Sequence, residues 1–181
     1  MIIVSNTTPL RYLIEIQLVD ILPAMFGTIV TSPVVLDELQ FPHFPEPVRT
    51  GAKDPPDWLR IEHPTFVLDD HQDIHAGEAQ VIALAVQHSA SRLIIDDDDA
   101  KRFARAKGVR VVGTLAVLGI ADELTLLNCP LTEAFRRLKT TQFRVSGELL
   151  DRFATGDPAV RQVIRREAVD VAREIERRGK Q

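Results

Sequence analysis

At 181 residues, 45% hydrophobic and 27% charged, the chain suits one folded domain with a full core. Its formal net charge of −4 argues against unspecific nucleic-acid binding over the whole surface, while leaving room for a local basic face beside an acidic pocket. A single cysteine, Cys129, excludes an internal disulfide, and no apolar run reaches the roughly 20 residues that cross a membrane.

The opening residues Met1, Ile2, Ile3, Val4 and Ser5 lack the basic flank and length of a signal peptide, so a cytoplasmic location is expected. Ile2, Ile3 and Val4 read as a short buried strand. Ser5 to Pro9 then supply a polar turn with a hydroxyl cap and a proline at the first helical position. Leu10, Leu13 and Ile14 continue at helical spacing, and Leu18, Ile21 and Leu22 extend it as a second short helix. This placement puts Asn6 at a strand's carboxyl end.

The next strand is Thr28, Ile29, Val30 and Thr31, followed by a second cap-plus-proline signal in Ser32 and Pro33 and a helix that carries Glu38. Pro42, Pro45, Pro47, Pro55 and Pro56 argue against a regular helix or central strand in residues 40–57, which read as a flap beside Glu38 or a plain surface excursion. Trp58 to Ile61 suits an edge strand. A polar approach containing His71 and His75, four apart and given surface or capping roles, leads to a helix from Gly77 that is apolar nearly all round and has Glu78 in its first turn.

The most informative stretch is Leu93, Ile94 and Ile95 running straight into Asp96, Asp97, Asp98 and Asp99, with a helix through Phe103 and Ala104 behind them. Asp98 or Asp99 suits the helix cap, whereas Asp96 and Asp97 fall where open α/β sheets place their ligands. A last strand at Val109 to Val112 precedes Gly113 and Thr114, which open another helix. Strands alternating with helices predict a mainly parallel sheet flanked by helices on both faces, an α/β three-layer fold. Helices at 131–138 and 147–153 follow. From Asp157 and Pro158 a long amphipathic helix presents Val160, Val163, Ile164, Ala168, Val171, Ala172 and Ile175 as one packing stripe, toward the domain or a second subunit.

Asn6, Glu38, Glu78, Asp96 and Asp97, with Thr114, thus converge on one sheet edge. Oxygen donors of this kind suit Mg²⁺ or Mn²⁺, and the absence of cysteine or neighbouring histidine ligands argues against zinc. One such ion, or two about 3.5–4 Å apart, activates water for in-line attack on a phosphodiester. Lys101, Arg102 and Arg105 on the following helix are positioned for phosphate contact, with a solvated helix face as the plainer role, above all for Arg105.

The ordered motifs Val4-to-Leu10, Pro33-to-Leu39, Gly77-Glu78-Ala79, Asp96-Asp97 with Lys101, and Gly113-Thr114-Leu115 resemble a PIN domain, and more closely the uncharacterised VapC-like prokaryotic branch. The resemblance covers about residues 1–150, leaving 151–181 as a C-terminal helical extension. It implies a metal-dependent ribonuclease fold, often the toxin of a toxin–antitoxin pair, with an RNA substrate and a cognate antitoxin as partners. The family's four acidic positions fall on Asn6, Glu38, Glu78 and Asp97, its supporting hydroxyl on Thr8 and a further polar position on Thr114. Glu38, Glu78 and Asp97 are then the catalytic set, with Thr8, Lys101, Arg102 and Thr114 toward substrate. Asn6 departs from the family's aspartate: it offers a neutral oxygen and accepts no proton. Two other readings remain open: a binding module whose turnover Asn6 has ended, and a homodimer built on the long C-terminal helix.

Overall fold

The computed structural model describes residues 2–68 and 74–180. The polar approach at residues 69–73, with His71 of the His71–His75 pair, lies outside them. Five strands form one all-parallel sheet in the order β3-β2-β1-β4-β5: β1 (Ile3–Ser5), β2 (Ile29–Thr31), β3 (Leu59–Ile61), β4 (Arg92–Ile94) and β5 (Val111–Val112). Ile3, Val4, Ile29, Val30, Leu93, Ile94 and Ile95 are all buried. That is why the sequence shows continuous apolar runs here rather than the alternation of a half-exposed sheet.

Helix α1 (Thr7–Glu15) starts directly at the end of β1. Asn6 is its N-cap by position, but its side chain makes no capping bond, and Pro9 lies further into the helix than the expected first position. Helix α2 (Ile21–Phe26) follows. Ser32 caps α3 (Pro33–Leu39) by accepting from the Val35 amide, a bond whose removal costs about 1 kcal/mol in comparable helices.

The proline-rich stretch differs from expectation, because it contains α4 (Glu46–Lys53). Pro45 stands at the N-cap and Pro47 in the first turn, where the missing amide hydrogen has no intrahelical acceptor; Pro55 and Pro56 follow the helix end. Val48 and Ala52 are its buried residues, and the helix packs on α1 and α3.

Helix α5 (Ala76–Gln87) lies against β1, β2 and β4, which explains its nearly uniform apolar surface. Then come α6 (Asp98–Ala106) and α7 (Thr114–Glu123). The remaining helices are α8 (Leu131–Lys139), α9 (Gly147–Thr155) and α10 (Pro158–Arg178).

Helix α10 packs on α7 and α2 through Ile164, Ala168 and Val171. The approach to α7 is close: a Cβ on Gly119 would stand 2.6 Å from Ile164 Cδ1. Val163 leaves the expected stripe and is 60% exposed. At the far end Arg178 donates to the Met25 carbonyl near the end of α2. Among the described residues no helix is long and apolar enough to cross a membrane.

Candidate active site

Strand order decides where a site can form. The chain leaves β1 toward β2 on one side and later adds β4 on the other, so a crevice opens at the carboxyl ends of β1 and β4. Asn6 follows β1 and Asp96 and Asp97 follow β4, so both arms of that crevice end in oxygen donors. A cleft of about 920 Å³ lies here, and Thr7, Thr8, Glu78, Asp96 and Asp97 are part of its lining.

Asp97 caps α6 by accepting from the Asp99 and Ala100 amides, each at 2.9 Å. It therefore takes the role expected of Asp98 or Asp99, which instead occupy the first turn and face solvent. Glu78 is buried, 8% exposed, and accepts from the His75 amide at 3.1 Å. Burial raises its pKa and the His75 amide opposes the rise. The Asp97 carboxylate adds to it more than that of Glu38, and the His75 charge opposes it.

Glu38 accepts from the Thr7 hydroxyl, and its carboxylate rests against the first turn of α5: a Cβ on Gly77 would come within 2.6 Å of Glu38 Oε1. Gly77 thus gives Glu38 access to the positive end of that helix. Asp96 turns to the neighbouring helix. Its Oδ1 accepts from the Thr114 amide at 2.8 Å and its Oδ2 from the Thr114 hydroxyl at 2.5 Å, and burial still raises its pKa. Asn6 is 4% exposed, yet its Oδ1 has no hydrogen-bond partner.

A family model described as PIN domain (DUF3368) matches residues 2–155. The chain belongs to the PIN-domain family. No curated protein matches it. In fold it is similar to a solved PilT N-terminus domain protein from the hyperthermophilic archaeon Sulfolobus solfataricus P2. That match has a TM-score of 0.50 and 14% identity, and covers 72% of this chain and 97% of that one.

This PIN domain brings Asp97 and Glu38 within electrostatic reach of Glu78, with Thr8 on the same cleft. It holds Thr114 to Asp96 and places Thr7 on the Glu38 carboxylate. Arg102 points away, 75% exposed and paired with Asp99, while Lys101 pairs with Asp98 at 3.0 Å on an adjoining groove.

Among the described residues no three histidine, cysteine, aspartate or glutamate side chains cluster closely enough to cage an ion. The donor chemistry nevertheless fits a hard cation. The orphaned Asn6 oxygen costs on the order of 1–3 kcal/mol if left without a partner. Burial, with the Asp97 and Glu38 carboxylates adding to it, disfavours the charged form of Glu78, a penalty that a divalent ion would relieve.

Sequence patterning did not find the rest of the cleft lining: Arg11 and Tyr12 from α1, Phe44 from the turn before α4, and Phe143 and Arg144 after α8. Arg11 stands four residues beyond Thr7, on the same helix face, and that spacing was the available signal.

Proposed function

We propose that this PIN domain is a metal-dependent endoribonuclease of the VapC-like type, hydrolysing phosphodiester bonds of cytoplasmic RNA in the cleft between β1 and β4. The observation that carries the reading is the pairing of an unpartnered, buried Asn6 Oδ1 with a carboxylate set, Glu38, Glu78 and Asp97, whose charges repel at one sheet edge.

Glu38, Glu78, Asp97 and the Asn6 oxygen would hold Mg²⁺ or Mn²⁺, as one ion or two. When bound, the ion supplies an activated water and neutralises charge on the scissile phosphate. The chain's own residues fix the geometry. Thr7 orients Glu38, the α6 amides orient Asp97, and the His75 amide orients Glu78. Both Asp96 oxygens accept from Thr114, so Asp96, which the sequence also offered as a ligand, would support the site rather than hold the ion.

In this reading residues 1–150 carry the nuclease and 151–181 form a helical extension. A cognate antitoxin and a second copy of the chain are the protein partners. The neutral amide at Asn6 supports a weakened enzyme, and in the limit an RNA- or protein-binding module.

Cleavage of a mixed structured-RNA pool with Mn²⁺ or with EDTA separates these readings. Metal-dependent cutting by the native chain, absent in Asp97→Asn, supports the nuclease. Cutting by Asn6→Asp alone makes the native chain the binding module. Cutting that survives in EDTA would remove the metal from the mechanism.

A further inference from the structure

The rim of the cleft carries aromatic side chains that the acidic cluster does not use: Phe44 packs partly against the core, whereas Phe41 and His43 stand outside it. Between α3, which bears Glu38, and α4, the chain turns outward at Phe41, His43 and Phe44. The Phe41 amide donates to the Glu38 carbonyl at 3.1 Å and the Phe44 amide to the Phe41 carbonyl at 3.0 Å, so the turn is tied to the helix that carries the acid. Arg49 Nε donates to the Phe44 carbonyl at 3.0 Å from α4.

The three rings touch in sequence. Phe44 and His43 have centroids 4.4 Å apart, His43 and Phe41 5.7 Å, and Phe41 and Phe44 6.2 Å. Phe44 lines the cleft with the Arg11 guanidinium 4.1 Å from its centre, while Phe41 is 46% exposed and His43 is exposed. A lone exposed aromatic needs no explanation, but an ordered run of three leading out of a cleft does. Arg144, which also lines the cleft, is exposed and forms no ion pair among the described residues.

We propose that Phe41 and His43, backed by Phe44, form a stacking path for the unpaired bases of a single-stranded RNA leaving the cleft, with Arg144 facing its phosphates; Arg11 lies over the Phe44 ring and pairs with Glu15 at 2.6 Å. The inference rests on the ribonuclease reading for the identity of the strand. Rings present a face to any base, so the path selects for unpaired strands and against duplex rather than for a sequence. Phe41 and His43 are positioning residues: they hold the strand and do not touch the reacting phosphate.

The test is binding in EDTA, where no metal-dependent cutting occurs, of a short single strand carrying a fluorescent purine analogue. The same strand with an abasic site at that position and the same sequence as a duplex serve as controls. Phe41→Ala is expected to weaken the single strand about tenfold, within the range for loss of one stacked base. It should also remove the fluorescence quenching, and Phe41→Tyr should restore both. Binding of the abasic strand should not change on substitution.

Equal binding by native protein and Phe41→Ala overturns the path. So does an equal loss on the abasic strand, which would show that the ring supports the strand's backbone or the local fold and stacks on no base. Metal-dependent cleavage with a KM unaffected by Phe41→Ala sinks the path and leaves the nuclease standing. Quenching that depends on Phe41, in a protein that cuts nothing with Mn²⁺, keeps the path and removes the nuclease.

Discussion

Strand β4 has charge at both ends, and the two ends are built in opposite ways. At its start Arg92, 2% exposed, donates from Nε to Glu167 at 2.8 Å, and Arg110 reaches the same Glu167 at 2.6 Å and Asp170 at 2.9 Å. Cations and anions there alternate between the sheet and α10. Just beyond its other end Asp97 and Glu38 lie close enough to Glu78 to raise its pKa, and the nearby cations offset only part of the burial there: His75 acts on Glu78 and Lys101 on Asp96, while Lys101 and Arg102 pair with Asp98 and Asp99. Balanced charge fastens a helix, whereas unbalanced charge at a sheet's carboxyl edge is the kind of arrangement the proposed ion would offset.

The sharpest way to break this contrast is Asp97→Asn. Asparagine caps a helix about as well as aspartate, so α6 keeps its start and the melting temperature should hardly move. Cleavage should nevertheless fall by more than the roughly 10–100-fold that losing a mere outer-shell partner costs. A large drop in melting temperature would show Asp97 to be structural, like the charges at the opposite end.

The mirror experiment is Arg92→Leu. It strands Glu167 on one side, though Arg110 still pairs with it. The expected loss is about 2 kcal/mol, below the ~3–5 kcal/mol for a fully buried pair, with cleavage per folded molecule unchanged. Urea unfolding followed by circular dichroism measures the first and the RNA assay the second.

The two ends should also answer pH with opposite signs. Arg110, as a hydrogen-bond donor, holds Asp170 below the ordinary carboxylate range; the stability this gives is complete above that range, near pH 4, and is lost as pH falls through the lowered value. Burial holds Glu78 and Asp96 above it, so the native state binds more protons than the unfolded one and stability falls as pH rises from about 4 through their raised values. Mn²⁺ should therefore raise the urea midpoint above that window and lose its effect below it, and Glu78→Gln should flatten the fall. An Mn²⁺ effect of equal size on both sides would detach the ion from these acids.

Much of this arrangement was legible in the sequence because parallel strands announce themselves as apolar runs and their carboxyl ends as the residues that follow. Ile3-Val4 before Asn6 and Ile94-Ile95 before Asp96 are such cases. Which of four consecutive aspartates caps α6 was not legible. Asp96 to Asp99 are chemically equal, and only the point where the chain leaves β4 selects Asp97. The prolines of residues 40–57 argued against a helix because each was weighed singly; their positions before, at the start of and after α4 are all ones a helix tolerates. The Arg11, Phe44 and Arg144 lining is assembled from three distant segments, and no local pattern records that meeting.

The smallest effect concerns α6, where two neighbouring cations separate. Arg102 is 75% exposed and paired only with Asp99 in its own first turn, the kind of surface pair that contributes little. Arg102→Ala should change stability by less than about 0.5 kcal/mol and leave the KM for RNA unaltered. Lys101 is less exposed, and its charge partly offsets the burial that raises the Asp96 pKa. Lys101→Met should therefore push Asp96 further up and steepen the loss of stability toward neutral pH. If Arg102→Ala instead raised KM strongly, phosphate would run over the outer face of α6, and the aromatic turn at Phe41 would lie off the strand's course.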